Sequence, residues 1–352
     1  MSNFEWPSRS QTEVYSPRPP RPGPALCLAL VVLAGFVLFG PVLNYYQQWS
    51  AIRKAQAAIL AKDYAEEYRQ LSLLANMGNP DGQYGLGGLY WQGQGVAQNR
   101  QLALYWWRKA ADRGNARAAY GIGRAYYVGE GVEKDDKVAA TFVRKAADNE
   151  DPNGQSLLGT LYARGHGVDQ DFSKAFQWWM KAAARGQVDA QAAVGNAYAL
   201  GSGVGKDDAQ AVVWYRKAAE QGYIPAQSAL GSAYSTGKGV ARSDTEAASW
   251  WLKAAKQGDV PSQLWVAYAY ANGIGIARDG KAAEFWWLAA AKTGNADAEF
   301  SLGQLYYLGV LGKPDYPEAA KWFLKATEHG NARAKTYIDL MRQNGQFDSK
   351  TL

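Results

Sequence analysis

The chain has 352 residues, 20% of them charged, with a formal net charge of +6. The first 24 residues hold Arg9, Arg18 and Arg21 against Glu5 and Glu13, so the basicity is thinly spread and no basic stripe marks a nucleic-acid partner. One cysteine, Cys27, and two histidines, His166 and His329, exclude an intramolecular disulfide and a cysteine zinc site, and leave histidine-based metal or acid–base chemistry poorly supplied.

Residues 1–24 read as a disordered, proline-rich tail. Its stretch Ser16–Pro24, SPRPPRPGP, is too dense in proline for a helix and favours extended polyproline geometry. A spacer is the plain reading; a docking peptide for an aromatic-lined groove is the sharper one. Residues 25–43, ALCLALVVLAGFVLFGPVL, carry no charge. A helix of that length spans roughly 28 Å, near the hydrocarbon thickness of a bilayer. Tyr45, Tyr46 and Trp49 follow as an interfacial belt would. The segment is read as one transmembrane helix. A cleaved signal peptide is the rival, disfavoured by the long run and the lack of a small-residue cleavage site. Basic residues tie across the segment, and the closeness of Arg18 and Arg21 tips the tail toward the cytoplasm. The expected place is then a bacterial inner membrane, single-pass, with the remainder periplasmic. Residues 44–78 are expected to form two capping helices, Asp63 capping the second.

A 36-residue unit then repeats seven times without a gap, over 79–114, 115–150, 151–186, 187–222, 223–258, 259–294 and 295–330. Counting each unit from 1 to 36, position 12 is always Tyr, position 15 always Gly and position 25 always Ala. Position 28 is Trp106, Phe142, Trp178, Trp214, Trp250, Trp286 and Trp322. Self-similarity at this period marks a solenoid, whose stacked units make extended surfaces that hold other proteins. Positions 3 to 14 have the spacing of a first helix, ended by the position-15 Gly. Position 21 (Asn99, Asp135, Asp171, Asp207, Ser243, Asp279, Asp315) suits the N-cap of a second helix ended by the Gly of position 36. Small residues at positions 4 and 9 admit a close neighbour, and the Tyr and Trp columns are read as core. Residues 331–352 resemble a closing cap helix and a frayed tail.

The pattern A-x-x-x-L-G-x-x-Y-x-x-G-x-G-V-x-x-D-x-x-K-A-x-x-W-x-x-K-A-A-x-x-G resembles the Sel-one-like repeat (SLR), a relative of the tetratricopeptide repeat. The match covers 252 of the 352 residues. The resemblance implies an all-α, right-handed α/α superhelical solenoid acting as an adaptor, often at bacterial envelopes, with no catalytic residues and no cofactor. The chain departs from the pattern at Phe142, Val143 and Glu150, at Trp265-Val266-Ala267, and at Leu311-Gly312, where the loop is expected to bulge.

Two motifs dissolve on inspection. Gly201 to Lys206 superficially looks like a phosphate loop but lacks the spacing and the following Ser or Thr. His166 sits in an equivalent loop and reads as solvated. The candidate surface is the first-helix face that avoids the core, at positions 3, 6, 10, 13 and 14. It is aromatic at one end (Tyr84, Trp91, Tyr120, Arg124, Tyr127), small and polar in the middle, and apolar at the other end (Leu264, Tyr268, Phe300, Tyr307). Aromatic residues and arginine are typical interface anchors. The sequence therefore predicts a non-enzymatic, membrane-anchored scaffold that binds a protein or peptide on a concave surface. A cell-wall or polysaccharide-associated module is the alternative, since aromatic grooves also hold sugars. No metal or catalytic site is expected.

Overall fold

The computed structural model describes residues 35–347, with side chains from residue 43 onward. The described residues form 17 helices and no strand, an all-α solenoid. They divide into two compact units, one ending at Ala119 and the other beginning at Tyr120. The tail 1–24, most of the apolar run 25–43 and the last five residues lie outside the described part. Among the described residues no helix is long and apolar enough to cross a membrane.

In the first unit, α1 (Gly35–Ala61) and α2 (Tyr64–Asn76) precede α3 (Pro80–Gln92) and α4 (Arg100–Asp112). Helix α1 runs on through residue 43, so no break separates the apolar run from the helix after it. The Asp63 side chain accepts from the Glu66 backbone N–H at 3.1 Å. Asp63 stands where position 21 would fall if the repeat frame ran backwards. Helices α1 and α2 thus form a further pair in the same frame, without the repeat's sequence marks. The position-12 Tyr90 hydroxyl meets that of Tyr68 at 3.1 Å, which raises the Tyr90 pKa to about 12.

In the second unit, α5 (Ala116–Val128) enters from the boundary, and α6 (Asp136–Asp148) completes its pair. Five more pairs follow. They are α7 (Pro152–Arg164) with α8 (Phe172–Ala184), α9 (Val188–Leu200) with α10 (Asp208–Glu220), and α11 (Ile224–Thr236) with α12 (Asp244–Lys256). After them come α13 (Val260–Asn272) with α14 (Gly280–Ala291), α15 (Ala296–Tyr307) with α16 (Tyr316–Glu328), and the lone α17 (Ala332–Gln343).

One notch recurs within the repeats. The bare Cα of the position-9 Gly admits the ring or branched chain at position 29. A Cβ on Gly87 would lie 2.4 Å from Trp107, on Gly159 2.5 Å from Trp179, on Gly231 2.3 Å from Trp251 and on Gly303 2.5 Å from Phe323. Position 4 is small for a different neighbour, the second helix of the preceding unit. A Cβ on Gly154 would meet that of Ala146 at 2.7 Å. The position-28 tryptophans pack against the hydrophobic clusters from their rim, and the next position along fills the centre. Position 29, with Trp107, Val143, Tyr215, Trp251, Trp287 and Phe323 all buried, supplies the core. The position-28 ring is half-buried in most units, and only Trp250 is fully covered.

Each loop is closed the same way. The position-15 Gly is left-handed in all seven units, from φ 65° at Gly309 to 79° at Gly129. The position-21 backbone N–H donates to the position-12 carbonyl, as Asp207 does to Tyr198 at 2.9 Å. The position-21 side chain then caps the second helix, as the Asp171 carboxylate accepts from the Lys174 N–H at 2.9 Å. Between units, the buried position-5 glutamine donates to the position-33 carbonyl of the preceding unit. Gln155 reaches Ala147, Gln191 reaches Ala183, Gln227 reaches Ala219 and Gln263 reaches Ala255, at 3.1–3.4 Å. Glu299 replaces this glutamine in the last unit, and its carboxylate meets His329 Nδ1 at 2.7 Å.

The departures from the pattern have local accounts. Glu150 takes the left-handed position (φ 63°) that glycine fills in the other units, and Arg185 donates to both its carbonyl and its carboxylate. In the usual loop the position-17 Gly lies against the position-22 carbonyl of the unit before. A Cβ on Gly203 would fall 2.0 Å from the Phe172 oxygen. The last loop has Leu311 at position 17, and there position 22 of the preceding unit is Gly280. Val310 and Leu311 lie within 3.3 Å of where a Cβ on Gly280 would stand. The glycine has changed sides of the contact. Helix α15 also ends early, at Tyr307.

Gly203→Ala is expected to lower stability by about 1–3 kcal/mol, through the left-handed φ of 75° and the carbonyl clash. Gly205→Ala, two residues on with open space around it, is expected to stay within about 0.5 kcal/mol of the parent. Urea denaturation of both variants checks the contrast; equal losses would refute it.

Candidate functional site

The first helices differ from the second in charge. Helix α11, IPAQSALGSAYST, and helix α13, VPSQLWVAYAYAN, contain no Asp, Glu, Lys or Arg. Helix α9 has only Asp189 and α7 only Arg164. Their partners are ordinary solvated helices; α12 alone carries Asp244, Glu246, Lys253 and Lys256. A helix face that meets water normally shows charge. The uncharged face of α11 and α13 is nevertheless partly open, with Ser232, Thr236, Trp265 and Tyr268 exposed.

The predicted anchors fare unequally on this face. In the first unit Trp91 is only 4% exposed, stacked on Trp107 at 4.9 Å, so it belongs to the core. Tyr84 is half-buried against the same indole at 6.4 Å, and the Trp107 N–H donates to the Tyr84 carbonyl at 3.1 Å. In the second unit Tyr120 and Arg124 are half-buried. Tyr127 is half-buried too, and its hydroxyl accepts from Arg164 at 3.3 Å. His166 is not a free loop residue: its ring lies 5.8 Å from that of Tyr127 and is half-buried.

At the far end, Phe300 is 4% exposed and cannot act as a surface anchor. Tyr337 of α17 meets it edge-on at 5.5 Å, and Arg333 lies 4.5 Å over its ring. Tyr307 packs on Tyr337 at 5.6 Å and on Tyr316 at 5.6 Å. The closing helix therefore consumes both residues. A cleft of about 300 Å³ remains between α15 and α17, lined by Phe300, Gln304, Arg333, Thr336 and Tyr337. Leu264 is half-buried on the core of its own unit.

Tyr268 does reach the surface, 48% exposed, beside Trp265, which is 50% exposed. The sequence marks Trp265 only as a departure in a core segment. Its signal was available: the same position holds Gly85, Gly121, Leu157, Ala193, Ala229 and Ser301 elsewhere. Trp265 stacks on Trp251 at 5.1 Å with 9° between the planes, and Tyr268 stands at 6.2 Å and 88° to it.

The polar residues of this face are mostly tied to their own helices. Ser232 Oγ donates to the Ser228 carbonyl at 3.2 Å, Ser235 Oγ to that of Ser232 at 3.0 Å and Thr236 Oγ1 to the same oxygen at 2.8 Å. Such hydroxyls offer a ligand lone pairs, not protons. Asn196 accepts from the Tyr215 hydroxyl at 2.7 Å. Among the described residues, no three His, Cys, Asp or Glu side chains come together as metal ligands.

A family model described as Sel1 repeat matches residues 80–115, 116–151, 152–187, 188–223, 224–259, 260–295 and 296–331. Each window begins one residue after the frame counted from Asn79. The chain is similar to c5321, a protective antigen of uropathogenic Escherichia coli strains displaying an SLR fold. The two are 36% identical, with a TM-score of 0.75 over 78% of this chain and 59% of that one. This chain thus spans about three fifths of that protein's length. A Sel1 repeat protein from Oxalobacter formigenes is 31% identical, with a TM-score of 0.62 over 85% of this chain and 86% of that one. No curated protein matches the chain significantly.

Burial raises the Tyr215 pKa from 10.0 to about 12. The unfolded chain ionises first, so this stabilisation is full below pH 10 and is lost as pH climbs toward 12. Tyr215→Phe is expected to flatten the fall of thermal midpoint across that window. Parallel curves for parent and variant would show that this phenol contributes nothing.

Proposed function

The chain belongs to the Sel1 repeat family, and we propose that it is a membrane-anchored, non-enzymatic adaptor holding a protein or peptide on the face of its first helices. Sel1-repeat proteins generally mediate protein–protein interaction. The observation that carries the reading here is the absence of charge from α11 and α13, while the helices paired with them are charged. A partner covering such a face strips no charged side chain of α11 or α13 of its water, which would cost several kcal/mol per group.

The apolar run 25–43 supports the anchor, and Arg18 and Arg21 close before it favour a periplasmic side for the repeats at a bacterial inner membrane. The mechanism is positional. The anchor confines the partner to the membrane, and the stacked units present it in a fixed register. Binding a partner already held near the surface raises its effective concentration with no new contact.

Two measurements test this. Full-length chain and its Ser232→Glu/Thr236→Glu variant are used as bait on detergent-solubilised membranes. A partner enriched by the parent is expected to fall about tenfold or more with the variant at unchanged helical content. Equal recovery would move binding off this face. Deleting residues 25–43 is expected to release the chain from the membrane fraction; retention there would refute the anchor.

A further inference from the structure

Most position-28 tryptophans share one arrangement, and Trp286, with Ala289 three residues on, departs from it. Five of the position-28 indoles carry the lysine three residues on over the ring. Lys109 lies 5.1 Å from Trp106, Lys181 3.9 Å from Trp178, Lys217 3.8 Å from Trp214, Lys253 3.6 Å from Trp250 and Lys325 4.5 Å from Trp322. The ring quadrupole attracts the ammonium in each case.

Trp265 is a tryptophan of a different kind, at position 7 of a first helix. It is half exposed, yet among the described residues no lysine or arginine lies over it or over Tyr268, and neither α11 nor α13 has one to offer. One indole face is taken by Trp251. The exposed part of Trp265 and the ring of Tyr268 make a corner of 88°. Helix α11 packs beside α13, with Ser228 and Ser262 Oγ 3.3 Å apart. Its Ser232, Ser235 and Thr236 hydroxyls have already donated to carbonyls of their own helix. Helices α11 and α13 together thus offer π surface and hydroxyl acceptors and carry no charged residue of their own.

Resting on the adaptor reading, we propose that the Trp265–Tyr268 corner receives a cationic side chain, arginine or lysine, from a partner polypeptide. Two aromatic walls favour a cation over a neutral group, and the serine lone pairs accept its N–H donors. A purely apolar anchor would cover those lone pairs without replacing the water they bind. Arginine fits best, because a planar guanidinium stacks on one ring while its donors reach sideways.

The test uses the full chain and the probe acetyl-Gly-Ser-Arg-Ser-Gly-amide, with counterparts carrying citrulline or proline in place of the arginine. Citrulline keeps the shape and removes the charge. The readout is the Trp265 indole N–H resonance, assigned by its loss in Trp265→Phe. The arginine peptide is expected to shift it saturably, with the citrulline and proline peptides about tenfold weaker or more. Trp265→Leu and Tyr268→Leu, both at exposed positions, are each expected to weaken binding about three- to tenfold, followed on neighbouring resonances at unchanged thermal midpoint. Equal shifts from citrulline or proline, or no shift from arginine, overturn the proposal. A membrane partner captured equally well by Trp265→Leu also overturns it and leaves the adaptor reading standing. Failure to capture any partner, with a saturable arginine shift, would do the reverse.

Discussion

The contact between the position-9 glycine and the position-29 side chain shapes how six of the seven helix pairs close; in the sixth, Ala267 takes the glycine's place and Trp287 is buried all the same. A glycine inside a helix costs about 1 kcal/mol relative to alanine. Burying an aromatic ring removes roughly 150–250 Å² from water. At about 25 cal/mol per Å² that amounts to roughly 4–6 kcal/mol, which outweighs the glycine. The notch also favours one register, because a Cβ at Gly231 or Gly303 would lie 2.3 or 2.5 Å from the ring seated there. Where the ring changes, the notch persists: Val143 faces Gly123, and Tyr215 faces Gly195.

The spacing from pair to pair rests on polar groups. The position-5 glutamine reaches back to a carbonyl of the previous unit, and the loop folds its N-cap onto the position-12 carbonyl. These bonds are buried or half-buried, so breaking one leaves an unsatisfied group at about 1–3 kcal/mol. Packing sets which faces meet, and the hydrogen bonds set where along the helix they meet. The Gly280–Leu311 contact shows how local this constraint is. It is enough that one side of the loop contact lacks a side chain, and either side can be the bare one.

With both tasks met by buried groups, the outer surface of the first helices is left without a structural duty. Its residues are small, hydroxylic or aromatic and uncharged over two consecutive units, while the second helices hold the charge and the lysine-covered tryptophans. That division separates a face suited to a partner from one suited to water. Trp265 and Tyr268 sit where no packing requirement calls for rings.

The seven-fold frame, the two helices per unit, the left-handed glycines and the N-caps were all legible in the sequence, because each depends on residues close along the chain. The assignment of aromatic residues to core or surface was not. Positions 28 and 29 are neighbours on a helix and equally apolar, and only the approach of the first helix, through its glycine notch, selects position 29. Phe300 and Tyr307 looked like surface anchors until α17 covered them with Tyr337. Trp91 looked like one until Trp107 lay flat upon it. Trp265 looked like a flaw in a core segment, and the fold turns it outward beside Tyr268. Local chemistry is written in the order of residues, whereas burial belongs to the surfaces that distant helices bring together.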